Sequence, residues 1–146
     1  MAIKKIVCCT DFSENAKEAV IKAIEMAEKY KAHLSIIHVL PPVINPMFAE
    51  ASMMLSDEPR DSLLLKLEEQ MQTEYGFGLG EHIEYDLVVL DGHVSSEILK
   101  YLEENQTDVV VMGSFGLSGM GLVVFGSVAK RIAHKAPCSV MIVRKN

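Results

Sequence analysis

Residues 108–129 read DVVVMGSFGLSGMGLVVFGSVA. An apolar run from Val109 to Met112 stops at Gly113. Gly116, Gly119 and Gly121 follow, and after a second apolar patch Gly126-Ser127 opens a predicted helix. A buried strand, glycine-rich backbone and then a helix is an order that lets main chain approach a ligand closely. Exposed N–H groups leading to a helix N-terminus receive phosphate well, because orphan donors and helix dipole both favour negative charge. The stretch admits a second reading, a purely structural turn in which Phe115 and Met120 cap the core.

Outward from this stretch, strands and helices alternate. Ile6–Thr10 is apolar without alternation, as in a strand buried on both faces. Ser13 is the expected N-cap of a helix running to about Lys31. Its inner stripe is Ala16, Ala19, Val20, Ala23, Ile24 and Ala27, and its outer face carries Glu18–Lys22 and Glu25–Lys29 at i,i+4. A second strand, His33–Leu40, ends at Pro41-Pro42. A helix from Asp57 or Arg60 to about Tyr75 turns Leu63, Leu64, Leu67 and Met71 inward, and Gly76, Gly78 and Gly80 punctuate the turn after it. Then come a strand over 83–90, a helix through Ile98, Leu99 and Leu102, the Asp108–Met112 strand, a helix over Ser127–Lys135 and a last strand, Ser139–Val143. The alternation predicts an α/β domain spanning 1–146, a parallel sheet with helices on both faces. In such sheets ligands sit beyond the carboxyl ends of the strands, where strand order reverses. If the first and fourth strands are neighbours, Thr10-Asp11 and the glycine loop face one nucleotide-sized crevice. Asp11 could equally be a helix-entry residue beside the Ser13 cap.

Residues 41–60 interrupt the rhythm with Pro41, Pro42 and Pro46, then Met47, Phe48, Met53, Met54 and Leu55. They read either as a surface loop packed over the scaffold or as a lid or partner surface, since methionine-rich segments adapt their shape.

Fourteen basic and twenty acidic residues give a net charge of −6, which argues against a general affinity for nucleic acid or anionic membrane. No apolar run approaches the roughly 18 residues a membrane span needs, and the N-terminal apolar run is too short for a signal peptide. The expected location is the cytoplasm. Cys8, Cys9 and Cys138 fit reduced thiols, because adjacent cysteines in a strand point to opposite faces and no C-x-x-C is present. A Walker P-loop, a G-x-G-x-x-G after the first strand, a G-x-S-x-G elbow and metal-type histidine spacing are all missing. Asp11 or Asp91 could hold a metal, but no water-activating set is evident, so binding with regulation is expected rather than metabolic catalysis; slow ATP hydrolysis or autophosphorylation and a nucleotide-independent interaction module acting through residues 41–60 are the alternatives. The short, apolar last strand (Val140, Met141, Ile142, Val143) is expected at a sheet edge, where pairing across a two-fold axis is natural.

Residues 113–127 fit G-x-x-G-x₉-G-[ST]. With the opening KKIVCCTDFSENA, the HVL closing the second strand and the terminal APCSVMIVR, the chain resembles the universal stress protein family along its whole length. The resemblance implies a Rossmann-like five-stranded parallel sheet of order 3-2-1-4-5 and a homodimer through the last strand. Because the glycine motif is complete, it also implies ATP, or AMP, ADP or cyclic AMP. Carried over, Asp11 meets ribose or adenine, the backbone at Val39 pairs with the adenine edge, and Gly113, Gly116, Gly126 and Ser127 surround the phosphates. Cys9, Thr10, Met112, Ser114, Ser118, Gly119 and Val128 complete the expected nucleotide-binding set. Where the family often has His and then a basic residue, this chain has Phe115 and Leu117, and no Lys, Arg or His lies between Gly113 and Ala129. Phosphate charge then falls on N–H groups, hydroxyls and the helix dipole, which contributes only about 0.3–2 kcal/mol. Mg²⁺ or Mn²⁺ is therefore expected with ATP, held through the phosphates rather than by protein side chains.

Overall fold

Five strands and four helices alternate along the chain: β1 (Lys5–Cys9), α1 (Glu14–Tyr30), β2 (His33–Leu40), α2 (Arg60–Tyr75), β3 (Tyr85–Asp91), α3 (Val94–Glu104), β4 (Val109–Gly113), α4 (Leu122–Lys135) and β5 (Ser139–Val143). The computed structural model describes residues 2–42, 59–76, 82–114 and 122–144, with backbone alone for 122–126. All strand pairs are parallel, and the sheet order is β3-β2-β1-β4-β5. β1 is thus central, which is why its residues are apolar on both faces rather than alternating.

Successive side chains of each strand enter opposite layers. Ile6 and Cys8 of β1, Leu34 and Ile36 of β2, and Val109 and Val111 of β4 pack with Ala19, Ala23 and Ala27 of α1 and Met71 and Tyr75 of α2. Val7, Ile37, Val39, Val110 and Met112 pack on the other face with Ile98 and Leu102 of α3 and Ala129 and Ile132 of α4. The alanine stripe lets α1 lie close on β4. At Gly113 a Cβ would come 2.8 Å from the Asn15 carbonyl oxygen, so the strand's last residue has room for hydrogen only.

Helix α1 begins as its sequence predicts: the Ser13 hydroxyl accepts from the Ala16 N–H at 3.2 Å. It closes through Lys31 in the left-handed region (φ +53°), whose N–H bonds back to Ala27 and Glu28 carbonyls. Its surface pairs differ from the i,i+4 expectation. Lys22 reaches Glu25 at 2.8 Å and Lys17 reaches Glu14 at 3.4 Å, both one shorter step along the helix. In α2 only Met71 and Tyr75 are fully buried, while Leu63, Leu64 and Leu67 are half-buried. That helix packs chiefly on β3, an edge strand, so there is less sheet to cover it.

The larger difference is α4, which starts at Leu122 and not at Ser127. Leu122, Phe125, Ala129 and Ile132 keep helical spacing through the glycine, and an interior glycine costs only about 1 kcal/mol against alanine. Gly126-Ser127 therefore lies inside the helix. The predicted site residues Gly116, Ser118 and Gly119, with Phe115, Leu117, Met120 and Gly121, lie outside the described residues, as do Gly78, Gly80 and residues 43–58 of the candidate lid.

Candidate functional site

The strand order makes β1 and β4 neighbours with α1 crossing on one face and α4 on the other, so the point where the winding reverses lies between their carboxyl ends. Cys9, Thr10 and Asp11 leave β1 there; Met112, Gly113 and Ser114 leave β4; Val39 comes from β2 on the other side of β1.

The turn after β1 is held by its own side chains. Thr10 continues the ladder, donating its N–H to the Ile37 carbonyl at 2.9 Å. Its buried hydroxyl accepts the Phe12 N–H at 3.1 Å and shares a 2.6 Å hydrogen bond with the Tyr75 hydroxyl. Asp11 Oδ1 accepts the Ser13 N–H at 3.0 Å, which orients the carboxylate at the helix entrance. Phe12 adopts φ +65°, a conformation a bulky side chain rarely takes, and its ring lies 4.7 Å from that of His38 and 6.1 Å from that of Tyr75. His38 Nδ1 lies 2.7 Å from the Thr10 carbonyl; since a carbonyl only accepts, Nδ1 carries the proton. Burial pushes the His38 imidazole below its ordinary range, against the opposing pull of that hydrogen bond and of Asp11. The neutral ring then presents Nε2 as an acceptor.

Across the crevice, the Ser114 N–H extends the β4–β5 ladder to the Val143 carbonyl at 2.8 Å. The Ser114 hydroxyl is buried and has no hydrogen-bond partner among the described residues, an unusual state for a buried polar atom and one that a ligand oxygen would relieve. On the α3/α4 side, Val39 and Met112 are buried in one cluster, against which Cys9 and Val128 pack. Gly126 and Ser127 stand in α4, where an α-helix beginning at Leu122 takes their N–H groups into its own ladder. The donors available to an anion are instead those of the first turn. Gly126 and Ser127 bring a bare Cα and a hydroxyl.

Burial pushes the Cys9 thiol up to about 12, which disfavours the nucleophilic thiolate. Cys9 is also not placed to bridge Cys138. Strand register sets Cys8 level with Val111 and Met141, so β4 lies between Cys9 and the strand that Cys138 precedes. All three cysteines are free. Asp91, a candidate metal ligand in sequence, is engaged by Arg60, with Nε at 2.8 Å from Oδ1. The same guanidinium donates to the Leu40 and Pro41 carbonyls at 3.0 and 2.8 Å, fastening the start of α2 to the ends of β2 and β3. Among the described residues no group of three or more His, Cys, Asp or Glu could hold a metal ion.

Sequence reading missed Phe12, His38 and Tyr75. Tyr75 had a signal, lying four residues beyond Met71 on the same helical stripe. His38 had one, its place in the HVL that closes the second strand. His93 also acts unexpectedly, capping α3 by accepting the Ser96 N–H at 3.4 Å.

These features define a doubly wound α/β protein whose winding reverses between the carboxyl ends of β1 and β4. Residues 2–144 match the model of the universal stress protein family, and the chain belongs to that family. A universal stress protein of Methanocaldococcus jannaschii is 33% identical over 97% of this chain and 82% of its own length. Among solved structures, a universal stress protein from Lactobacillus plantarum matches with a TM-score of 0.79 at 20% identity, covering 99% of both chains. The universal stress protein from Archaeoglobus fulgidus in complex with dAMP matches with a TM-score of 0.68 at 20% identity, covering 97% of this chain and 98% of that one. At such identities these two likenesses speak to the fold.

Proposed function

We propose that this chain binds an adenine nucleotide at the β1/β4 crevice and works as a nucleotide-dependent regulatory protein rather than as a metabolic enzyme. The observation that carries the reading is the pairing of the anchored Asp11 turn with the buried Ser114 hydroxyl, which has no partner among the described residues, on adjacent strand ends. A relative of the same fold bound to dAMP supports the ligand class. In this reading Asp11 meets the ribose, the backbone at Val39 meets the base, and Cys9 and Met112 line the crevice floor beside it. Ser114, the first turn of α4 and the Ser127 hydroxyl face the phosphates, with Gly116, Ser118 and Gly119 contributing from the intervening loop.

Charge decides the metal dependence. Helix-terminal donors supply a few tenths to ~2 kcal/mol, little against a triphosphate with three or four negative charges. ATP binding therefore needs Mg²⁺ or Mn²⁺ on the phosphates, while AMP or cyclic AMP loses less without it. Calorimetric titration of ATP and AMP, each with Mg²⁺ and with a chelator, tests this. Chelation should weaken ATP at least about tenfold and AMP much less; equal, tight, metal-independent binding of ATP contradicts it. Two copies are expected to pair through β5, whose Met141 and Ile142 are 36% and 37% exposed on an edge strand.

A further inference from the structure

The Thr10–Asp11–Phe12 turn is held from behind by groups that lie outside the proposed ligand contacts. Tyr75 comes from the last turn of α2, is 5% exposed, and its hydroxyl is hydrogen-bonded to that of Thr10 at 2.6 Å. Helical side chains lean toward the N-terminus of their helix, which carries the ring up from the end of α2 to the carboxyl end of β1. The helix itself is fastened at its start by Arg60, so the hydroxyl has a fixed support. From β2, His38 donates to the Thr10 carbonyl at 2.7 Å. Between the two, Phe12 holds φ +65° with its ring against both. For a bulky aromatic residue this conformation is an outlier, and outliers of that kind collect at sites where geometry matters. The next link is Asp11, whose carboxylate leaves the backbone between Thr10 and Phe12 and bonds the Ser13 N–H.

We propose that Tyr75 is a positioning residue that sets ribose discrimination: through Thr10 it fixes the direction of Asp11, so that a nucleotide with its 2′-hydroxyl is preferred over the 2′-deoxy form. This rests on the nucleotide reading above. Removing the hydroxyl frees the turn to shift without changing the crevice's apolar walls. Contacts made by Asp11 to ribose hydroxyls feel that shift most.

The test compares AMP and dAMP binding to the full chain by calorimetry. Tyr75→Phe keeps the ring against Phe12 and removes only the oxygen. AMP affinity should fall about fivefold, the effect of one hydrogen bond of typical net strength, and dAMP affinity less than about twofold. His38→Phe, which removes the second hold while keeping a ring beside Phe12, should compress the AMP/dAMP ratio in the same direction. In an Asp11→Ala background, Tyr75→Phe should leave the ratio unchanged. An unchanged ratio in both single variants, or a loss that persists without Asp11, overturns the proposal while the nucleotide site stands. Wild-type protein that binds neither nucleotide overturns the nucleotide reading and this inference together.

Discussion

Gly113 carries two constraints of different origin. Its place at the end of β4 marks a close approach in the sequence, and the structure identifies one partner in that approach as main chain of α1: an added Cβ would lie 2.8 Å from the Asn15 carbonyl oxygen and 3.0 Å from its carbon. Backbone atoms of a helix cannot swing aside as a side-chain tip can. Gly113→Ala should therefore lower stability by about 1–3 kcal/mol, the usual cost of overpacking, measured as a lower urea midpoint at unchanged slope; a shift below about 0.5 kcal/mol contradicts the packing. His38 gives the residue scale a pH signature. Its folded pKa lies below the ordinary 6.5, so between the two values the unfolded chain binds more protons. Stability is thus full above pH 6.5 and is lost as pH falls from 6.5 through the lower folded value, after which the loss levels off. Urea midpoints from pH 8 to pH 5 should show this slope in wild type and a flatter one in His38→Asn; equal slopes would place the titration elsewhere.

At the scale of elements, much of the fold is legible in the sequence because local signals and tertiary packing agree. Ser13 caps α1, the alanine stripe is buried, and β5 occupies Ser139–Val143 as its apolar run predicts. Where two local signals compete, as at Gly126, the apolar period outweighs the glycine and α4 starts earlier. The half-buried leucines of α2 reflect something no local pattern encodes, its seat on an edge strand. Among the described residues the same topology leaves the far side of β5 unpaired, with Met141 and Ile142 more than a third exposed. Met141→Glu places a charge on that edge with little change to the monomer. Sedimentation should show a wild-type dimer and a monomeric variant; identical sedimentation of the two contradicts assembly through β5.

Over the whole molecule, the proposed site depends on a juxtaposition that strand order creates. Asp11 and Ser114 are 103 residues apart and share a crevice only because β1 pairs with β4. The glycine spacing and the Thr10-Asp11 turn were readable as parts. The supports of that turn were not, because Tyr75, His38 and Phe12 meet through contacts between a helix, a strand and a loop distant in sequence. No helix among the described residues is long and apolar enough to cross a membrane. The most direct measurement is mass spectrometry of the small molecules released on heating the purified protein, compared with an Asp11→Ala, Ser114→Ala double variant purified in parallel. An adenine nucleotide released in near-stoichiometric amount from wild type and lost from the variant is the predicted result. Equal release from both, or no binding of added adenine nucleotide by a wild-type protein that releases none, would contradict a nucleotide site at the β1/β4 crevice.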